Sequence, residues 1–383
     1  MMMFIVSLTE LILYICFSVI VGTSILLLIP DNKKPPLKIN KKLLYTAVGL
    51  IPLTALLPVI STAEILNGDQ NFLFIFKSIL LTFEVGKSWL FILVITTILI
   101  RVLITKSFAS DKRLIGLALF LTLLMLLGYT KSSHAATITE WQGFLFHSLH
   151  FLAVTVWIGI LFVVSWFAVS KENWMPFLKW FTPTSIVCLV VTIVAGYFTM
   201  GIDINSYNNP DASILQEYQN SLVVNYGQAL LFKHIFIISL IIFAVINGIL
   251  FRKKYNQESF NPLKWARLES IYAFVVFGLT AFMGQSWPPH QLYSLIKAYG
   301  ASPIFTTIYD GEFISTIQNA EKTGIYNVMI SFGLESYLLF LIGVLFMIIT
   351  ILAAVKRHSV FVSSISSLLM VLTVYFGIML GIQ

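Results

Sequence analysis

Residues 143–164 read GFLFHSLHFLAVTVWIGILFVV, a run of 22 positions without a lysine, arginine, aspartate or glutamate. About 20 consecutive apolar residues in a helix cross the hydrocarbon core of a bilayer, whereas a membrane β-strand needs only about ten. The run therefore predicts a transmembrane helix. Its two histidines are unusual, because ionisable side chains are costly to insert and usually mark functional sites.

Nine further apolar runs flank this one. The chain of 383 residues is 58% hydrophobic and 11% charged, with a mean hydropathy of +0.90. Soluble domains carry about 25% charged residues, so a soluble protein is excluded and an all-α, polytopic membrane helix bundle of about ten spans is predicted. The predicted apolar cores are 5–29, 43–63, 88–105, 114–130, 143–170, 182–200, 228–251, 268–286, 328–354 and 359–380.

The basic residues predict the orientation of these spans. With the N-terminus outside, eighteen of the 24 lysines and arginines fall in inner loops and five in outer segments. Positive loops stay inside, so both termini are expected outside in a cell membrane, either an inner or a plasma membrane. The pI near 9.2 reflects these loops and does not indicate a nucleic-acid partner. Residues 72–87 are expected at the membrane interface.

The spans group into three segments of one integrated membrane domain. Residues 1–140 hold four spans, 141–290 hold a four-span core, and 291–383 hold an outer loop and two C-terminal spans. Cys16 and Cys188 both lie in apolar runs and offer neither a disulfide framework nor a CxxC metal pair.

Four ionisable residues stand out inside the spans: His147, His150, His234 and Glu335. His147 and His150 are three residues apart and so share one helix face. From the predicted outer ends, a rise of 1.5 Å per residue places these two roughly 6–12 Å deep, His234 about 9 Å and Glu335 about 10 Å. Because the orientation came from the loops alone, this common depth favours one shared site.

Imidazoles suit copper, zinc and iron, and a thioether adds a preference for Cu(I). Met283 is expected at a similar outer depth, so His147, His150, His234 and Met283 form the predicted metal set. The alternative is that each histidine only hydrogen-bonds a neighbouring helix. His134 and His290 are expected to face solvent in outer loops.

Other residues are predicted to support this set. Lys233 either extends to the outer surface or pairs with Glu335, and one of the two would tune the local charge. Trp157 and Gly159 are expected to let helices pack closely around the fifth span. No GxxxxGK[ST] loop or DKTG-like sequence occurs, so transport driven by the chain's own ATP hydrolysis is not expected, and the chain is not predicted to be an enzyme.

The middle of the chain resembles the copper resistance protein D (CopD) family. HSLHFLAVTVWIG at 147–159 resembles its HxxHxxAxxxWxG span, and LKWFTP at 178–183 is similar to its "RFSP" element, from which it departs by a lysine and a threonine. YGQALLFK at 226–233 is similar to YGxxLLxK, and Arg267-Leu-Glu269 followed by SWPP resembles later RxE and Pro-Pro elements. The resemblance covers residues 140–290.

The resemblance implies copper handling at the cell membrane, with movement of copper into the cytoplasm the usual proposal. Some members of the family carry a fused soluble copper-binding domain; none is seen in this sequence, so any extracytoplasmic copper donor is expected to be a separate protein. By motif, the matching positions are His147, His150, Trp157, Tyr226, Gly227, Lys233 and Glu269. His234 lies outside these motifs, and its assignment depends on the depth prediction.

The leading hypothesis is therefore a copper transport or copper tolerance protein that carries copper ions across the cell membrane, with uptake favoured. The first alternative is a b-type haem protein that exchanges electrons with a quinone, with His150 and His234 as axial ligands. The second is a non-catalytic membrane scaffold, in which the histidines only pack and hydrogen-bond.

Overall fold

The structure is a computed structural model that describes residues 2–68, 71–205, 213–255, 257, 260–309 and 328–382. In chain order, the helices of these residues are α1 (Met2–Leu28), α2 (Lys41–Asn67), α3 (Phe72–Thr82), α4 (Glu84–Ile104), α5 (Lys112–Lys131), α6 (His134–Thr139), α7 (Trp141–Phe167), α8 (Trp174–Ile204), α9 (Ile214–Ser221), α10 (Asn225–Val245), α11 (Pro262–Gln285), α12 (Leu292–Tyr299), α13 (Pro303–Ile308), α14 (Leu334–Val355) and α15 (Val360–Met379). A π-helical turn, Ile246–Leu250, extends α10.

Polar side chains in the connecting segments set where many helices begin. An Asn, Asp or Ser before the first turn accepts a hydrogen bond from a backbone N–H that has no partner within the helix. The residues that cap a described helix in this way are Asn40, Asn71, Asp111, Ser133, Ser213 and Ser359. The helix starts are thus encoded locally, next to the apolar runs.

Within the described residues, ten helices are long and apolar enough to cross a membrane: α1, α2, α4, α5, α7, α8, α10 with its π turn, α11, α14 and α15. They coincide with the ten predicted runs, so the all-α, multi-pass membrane bundle is confirmed. The outward orientation of both termini and the identity of the membrane stay predictions. Residues 84–87 belong to the third span, because α4 begins at Glu84, and α3 forms a separate short apolar helix before it.

The chain divides into two units, which are described separately. Unit 1 comprises Met1–Ile202 and Lys254–Ser270, and unit 2 comprises Asp203–Lys253 and Ile271–Gln383. The division passes through α8 and α11. The three segments predicted from the sequence stay a prediction.

In unit 1, α1 packs against α2, α5 and α7. A β-carbon on Gly22 would overlap the carbonyl group of Gly159 on α7, and one on Gly159 would overlap the carbonyl oxygen of Ser18. The two backbones are therefore in direct contact. This confirms the expectation that Gly159 allows close packing around the fifth span.

In unit 2, α14 and α15 form a pair whose glycines meet side chains. A β-carbon on Gly343 would lie 2.9 Å from Cγ2 of Val374, and one on Gly377 would lie 2.6 Å from Cε1 of Phe340. Tyr375 of α15 stacks on Phe232 of α10, with ring centroids 4.0 Å apart. Aromatic side chains thus fill the space between the α10 and α15 backbones.

Candidate functional site

The two histidines of α7 lie well inside the span. Taking 1.5 Å per residue from Trp141, His147 lies about 9 Å and His150 about 14 Å along the helix. Both side chains are partly buried, and their spacing of three residues puts them on one face. Unit 1 therefore keeps the predicted histidine pair together on one helix.

A neighbouring helix fixes the His150 ring. Its Nδ1 lies 2.9 Å from the carbonyl oxygen of Thr192 on α8. A carbonyl oxygen only accepts hydrogen bonds, so Nδ1 donates and, in the neutral ring, Nε2 carries the lone pair. A β-carbon on Gly196 would lie 2.9 Å from both Nδ1 and Cε1 of this ring, so glycine provides the space it occupies.

A carboxylate lies in the same part of unit 1. Glu10 of α1 is only 7% exposed, and its two carboxylate oxygens lie 3.4 Å from Oη of Tyr14 and 3.2 Å from Oη of Tyr129. The two hydroxyls are 3.3 Å apart. Sequence reasoning missed this group, although Glu10 lies in the first apolar run and the rule that selected the histidines applies to it equally.

An aromatic cluster supports the carboxylate. The rings of Tyr14 and Phe151 meet edge to face at 5.3 Å, Phe17 and Phe151 at 5.7 Å, and Tyr129 and Phe151 at 5.6 Å. Next to it, the hydroxyl groups of Thr130 and Ser148 are hydrogen-bonded at 2.7 Å. These contacts join α1, α5 and α7 beside the histidine face.

The RxE element anchors α11 within unit 1. Arg267 donates from Nε to the carbonyl oxygen of Ser165 at 2.9 Å, and its guanidinium lies 5.6 Å from the ring centroid of Trp166. Trp166 in turn donates to the hydroxyl of Ser270 at 2.9 Å. Glu269 is 3% exposed, so its side chain is buried.

Trp157 follows His150 on α7, nearer the end of the helix, and is 4% exposed. Its indole Nε1 has no hydrogen-bond partner among the described residues, which suits a packing role beside Gly159. The supporting role predicted for Trp157 stays a prediction.

In unit 2, His234 is exposed and lies about 14 Å along α10. Its Nδ1 is 3.0 Å from Oη of Tyr218 on the short helix α9. Burial raises the pKa of Tyr218, so this hydroxyl keeps its proton at neutral pH and can either donate or accept. The contact therefore does not fix which nitrogen of His234 is protonated.

The YGxxLLxK element forms a buried polar group in unit 2. Tyr226 and Lys233 are 4% and 9% exposed, and Oη of Tyr226 donates to Asp203 at 3.4 Å. Gly227 starts α10 against Ser221, whose carbonyl a β-carbon would overlap. Asp203 was missed by sequence reasoning because it follows the predicted sixth core.

Glu335 differs from its prediction. It is the second residue of α14, about 2 Å from the start of the helix, and it is exposed. Residues 328–333 precede this helix, with Ile330 bridged to Ile382, so the predicted depth of about 10 Å is wrong. Among the described residues, the structure gives no ion pair between Lys233 and Glu335.

The remaining predicted residues are Met283, His134 and His290. Met283 is partly buried on α11 in unit 2, and His134 is exposed as expected. His290 is 8% exposed, and its Nδ1 lies 2.7 Å from the carbonyl oxygen of Asn205. The expectation that His290 faces solvent is therefore wrong, because that loop folds back onto the end of α8.

Within the described part of the chain, no group of three or more His, Cys, Asp or Glu side chains is arranged to hold a metal ion. His147 and His150 belong to unit 1, and His234 and Met283 belong to unit 2. The four-residue metal set stays a prediction. The chain matches no protein-family model, and no curated protein or solved structure is significantly similar to it.

Proposed function

We propose that the protein is a multi-pass copper transport or copper tolerance protein of an inner or plasma membrane, which carries copper ions across it, with uptake favoured. His147 and His150 would receive the ion from the outer side. The proposal extends the resemblance of residues 147–159, 226–233 and 267–269 to the copper resistance protein D family. Copper is the cargo, not a resident cofactor.

One observation carries this proposal: the hydrogen bond between Nδ1 of His150 and the Thr192 carbonyl oxygen. Metal-binding histidines commonly donate from one ring nitrogen to a carbonyl or carboxylate, which holds the other nitrogen ready to coordinate. His150 has this tautomer in a span that also contains His147 one turn away. The alternative, in which His150 only hydrogen-bonds a neighbouring helix, contains the same contact, and copper retention distinguishes the two.

The proposed receiving pair supplies two imidazole nitrogens from one helix face. Two neutral imidazoles suit copper of either oxidation state. No phosphate-binding loop is present in the sequence, so inward movement would follow the copper gradient and the membrane potential. A separate extracytoplasmic copper-binding protein would deliver the ion.

Metal content and absorbance of the purified full-length protein test the proposal. The wild type in detergent, equilibrated with Cu(I), should retain copper in stoichiometric amount and show no Soret band. The double variant His147→Ala/His150→Ala should lose that copper. His134→Ala is the matched control, since His134 is an exposed histidine outside the spans and its loss should change nothing.

The two alternative functions, a b-type haem protein and a membrane scaffold, predict different results. Stoichiometric haem, with a Soret band that His150→Ala abolishes, would replace copper transport by the b-type haem redox function. Full copper retention in the double variant would refute the receiving pair. A scaffold predicts that cells expressing wild type and double variant have the same copper content and copper tolerance.

Measurements of cellular copper test the direction in which the protein moves copper. If the protein imports copper, expression should raise cellular copper, and the double variant should return it to the level of cells without the protein. A fall in cellular copper on expression would instead indicate export.

A further inference from the structure

We infer that Glu10 is a further residue of the copper path, which supplies the negative charge that accompanies the cation at His147. This inference rests on the proposed copper function. It assigns a role to a buried carboxylate that the resemblance to the copper resistance family does not include, since Glu10 lies outside residues 140–290.

The register of α1 and α7 places Glu10 level with His147. Gly22 touches Gly159, and Tyr14 touches Phe151, and in each pair the residues are 137 positions apart. The two helices therefore run in parallel with a constant offset. Glu10 comes one turn before Tyr14, and the residue one turn before Phe151 is His147, so the same offset joins these two positions.

The carboxylate is held as an acceptor. Tyr14 and Tyr129 reach one oxygen each, at 3.4 and 3.2 Å, from two different helices. Each phenol has one O–H to donate, so both carboxylate oxygens can accept a hydrogen bond. The ring contacts of Tyr14 and Tyr129 with Phe151 restrict both phenols, and so they fix the direction in which Glu10 points.

A copper ion held by neutral imidazoles keeps its full positive charge, which a nearby carboxylate can offset. His147 and His150 bind a metal ion as neutral ligands, so the full charge of copper would enter an apolar span. A carboxylate at the level of the outer histidine offsets that charge where the ion first leaves water. An opposite charge within a few ångströms typically changes such an equilibrium by about tenfold or more.

Charge-conserving and charge-removing variants test this role in the full-length protein. Glu10→Gln keeps the size of the side chain and removes its charge, and Glu10→Asp keeps the charge. We expect Glu10→Gln to weaken Cu(I) binding and raise the copper concentration for half-maximal uptake about tenfold, and Glu10→Asp to recover most of the loss. Glu64→Gln is the control, because Glu64 is an exposed carboxylate on α2.

The charge of the probe separates an electrostatic role from a structural one. The ratio of wild-type to Glu10→Gln affinity should be larger for Zn²⁺ than for Ag⁺, since a carboxylate attracts a divalent cation more strongly. A purely structural loss would reduce both affinities by the same factor and lower the melting temperature.

Two results would overturn the inference, and they differ. If the wild type binds copper and His147→Ala/His150→Ala abolishes binding, but Glu10→Gln binds copper and both probes like the wild type, Glu10 has no such role while the proposed function stands. If the wild type itself binds no copper, the proposed function fails and the inference fails with it.

Discussion

His150 and His234 lie at similar distances along their helices, yet their surroundings differ. His150 in unit 1 is partly buried and donates to a backbone carbonyl, which leaves one tautomer. His234 in unit 2 is exposed and meets a tyrosine hydroxyl, which permits either tautomer. Depth within a span therefore does not make two histidines equivalent ligands; the group bonded to the other ring nitrogen distinguishes them.

The glycine contacts between helices also differ in the two units. The glycines of α1 and α7 bring two backbones together, whereas those of α14 and α15 meet the ends of side chains. Backbone contacts cannot relax by a change of rotamer, but side-chain contacts can. The helix that carries the histidine pair is thus held more rigidly than the α14–α15 pair.

The largest expected effect is the difference in copper affinity between the variants His150→Ala and His234→Ala. His150→Ala should weaken copper binding by at least about 100-fold, because it removes a ligand whose tautomer is fixed. His234→Ala should weaken it by less than about tenfold. Equilibrium titration with Cu(I) in detergent measures both. Equal losses would show that the carbonyl contact confers no advantage.

Gly196→Ala tests whether the position of the His150 ring matters. The added methyl group would lie 2.9 Å from the ring, so the imidazole must shift, which should weaken its hydrogen bond to the Thr192 carbonyl. We expect copper affinity to fall about tenfold, as is usual when the support of a metal ligand is lost. Gly116→Ala is the matched control, since a β-carbon there meets nothing within 4 Å. Unchanged affinity in Gly196→Ala would contradict the role of the ring position.

Gly159→Ala and Gly343→Ala compare the packing of the two units. The first forces two backbones apart and should cost about 2–3 kcal/mol of stability, whereas the second displaces a valine methyl group and should cost less than about 1 kcal/mol. Thermal unfolding in detergent, followed by circular dichroism, should show the larger drop in melting temperature for Gly159→Ala. The reverse order would refute the difference in rigidity.

Tyr218→Phe should have the smallest effect on copper binding. It removes one hydrogen bond to an exposed histidine and should cost about 0.5–1.5 kcal/mol of stability. Copper affinity should stay within about twofold of the wild type. A loss as large as that in Gly196→Ala would mean that the tyrosine supports His234 in the way that Thr192 supports His150.

Apolar runs and capping residues sufficed to predict the ten spans, because both are local properties of the sequence. The depth of Glu335 was wrong because residues 328–333 are apolar but not helical. Their bridge to residue 382 is a long-range contact that no local pattern reveals.

For the candidate site, the sequence was sufficient to select the residue types and the shared face of His147 and His150. It could not identify Thr192 or Tyr218 as ring partners, since these lie 42 and 16 residues away and are fixed by helix packing. Glu10 was within reach of the sequence, because a carboxylate inside an apolar run is as costly as a histidine.

The contact between Gly22 and Gly159 also determines an order of assembly. The ribosome adds about 5–20 residues per second, so α7 is completed roughly 7–28 seconds after α1. During this delay α1 is already in the bilayer, and its small residues are covered by lipid or by the spans made before α7. The centre of unit 1 therefore closes late, when α7 displaces those temporary neighbours.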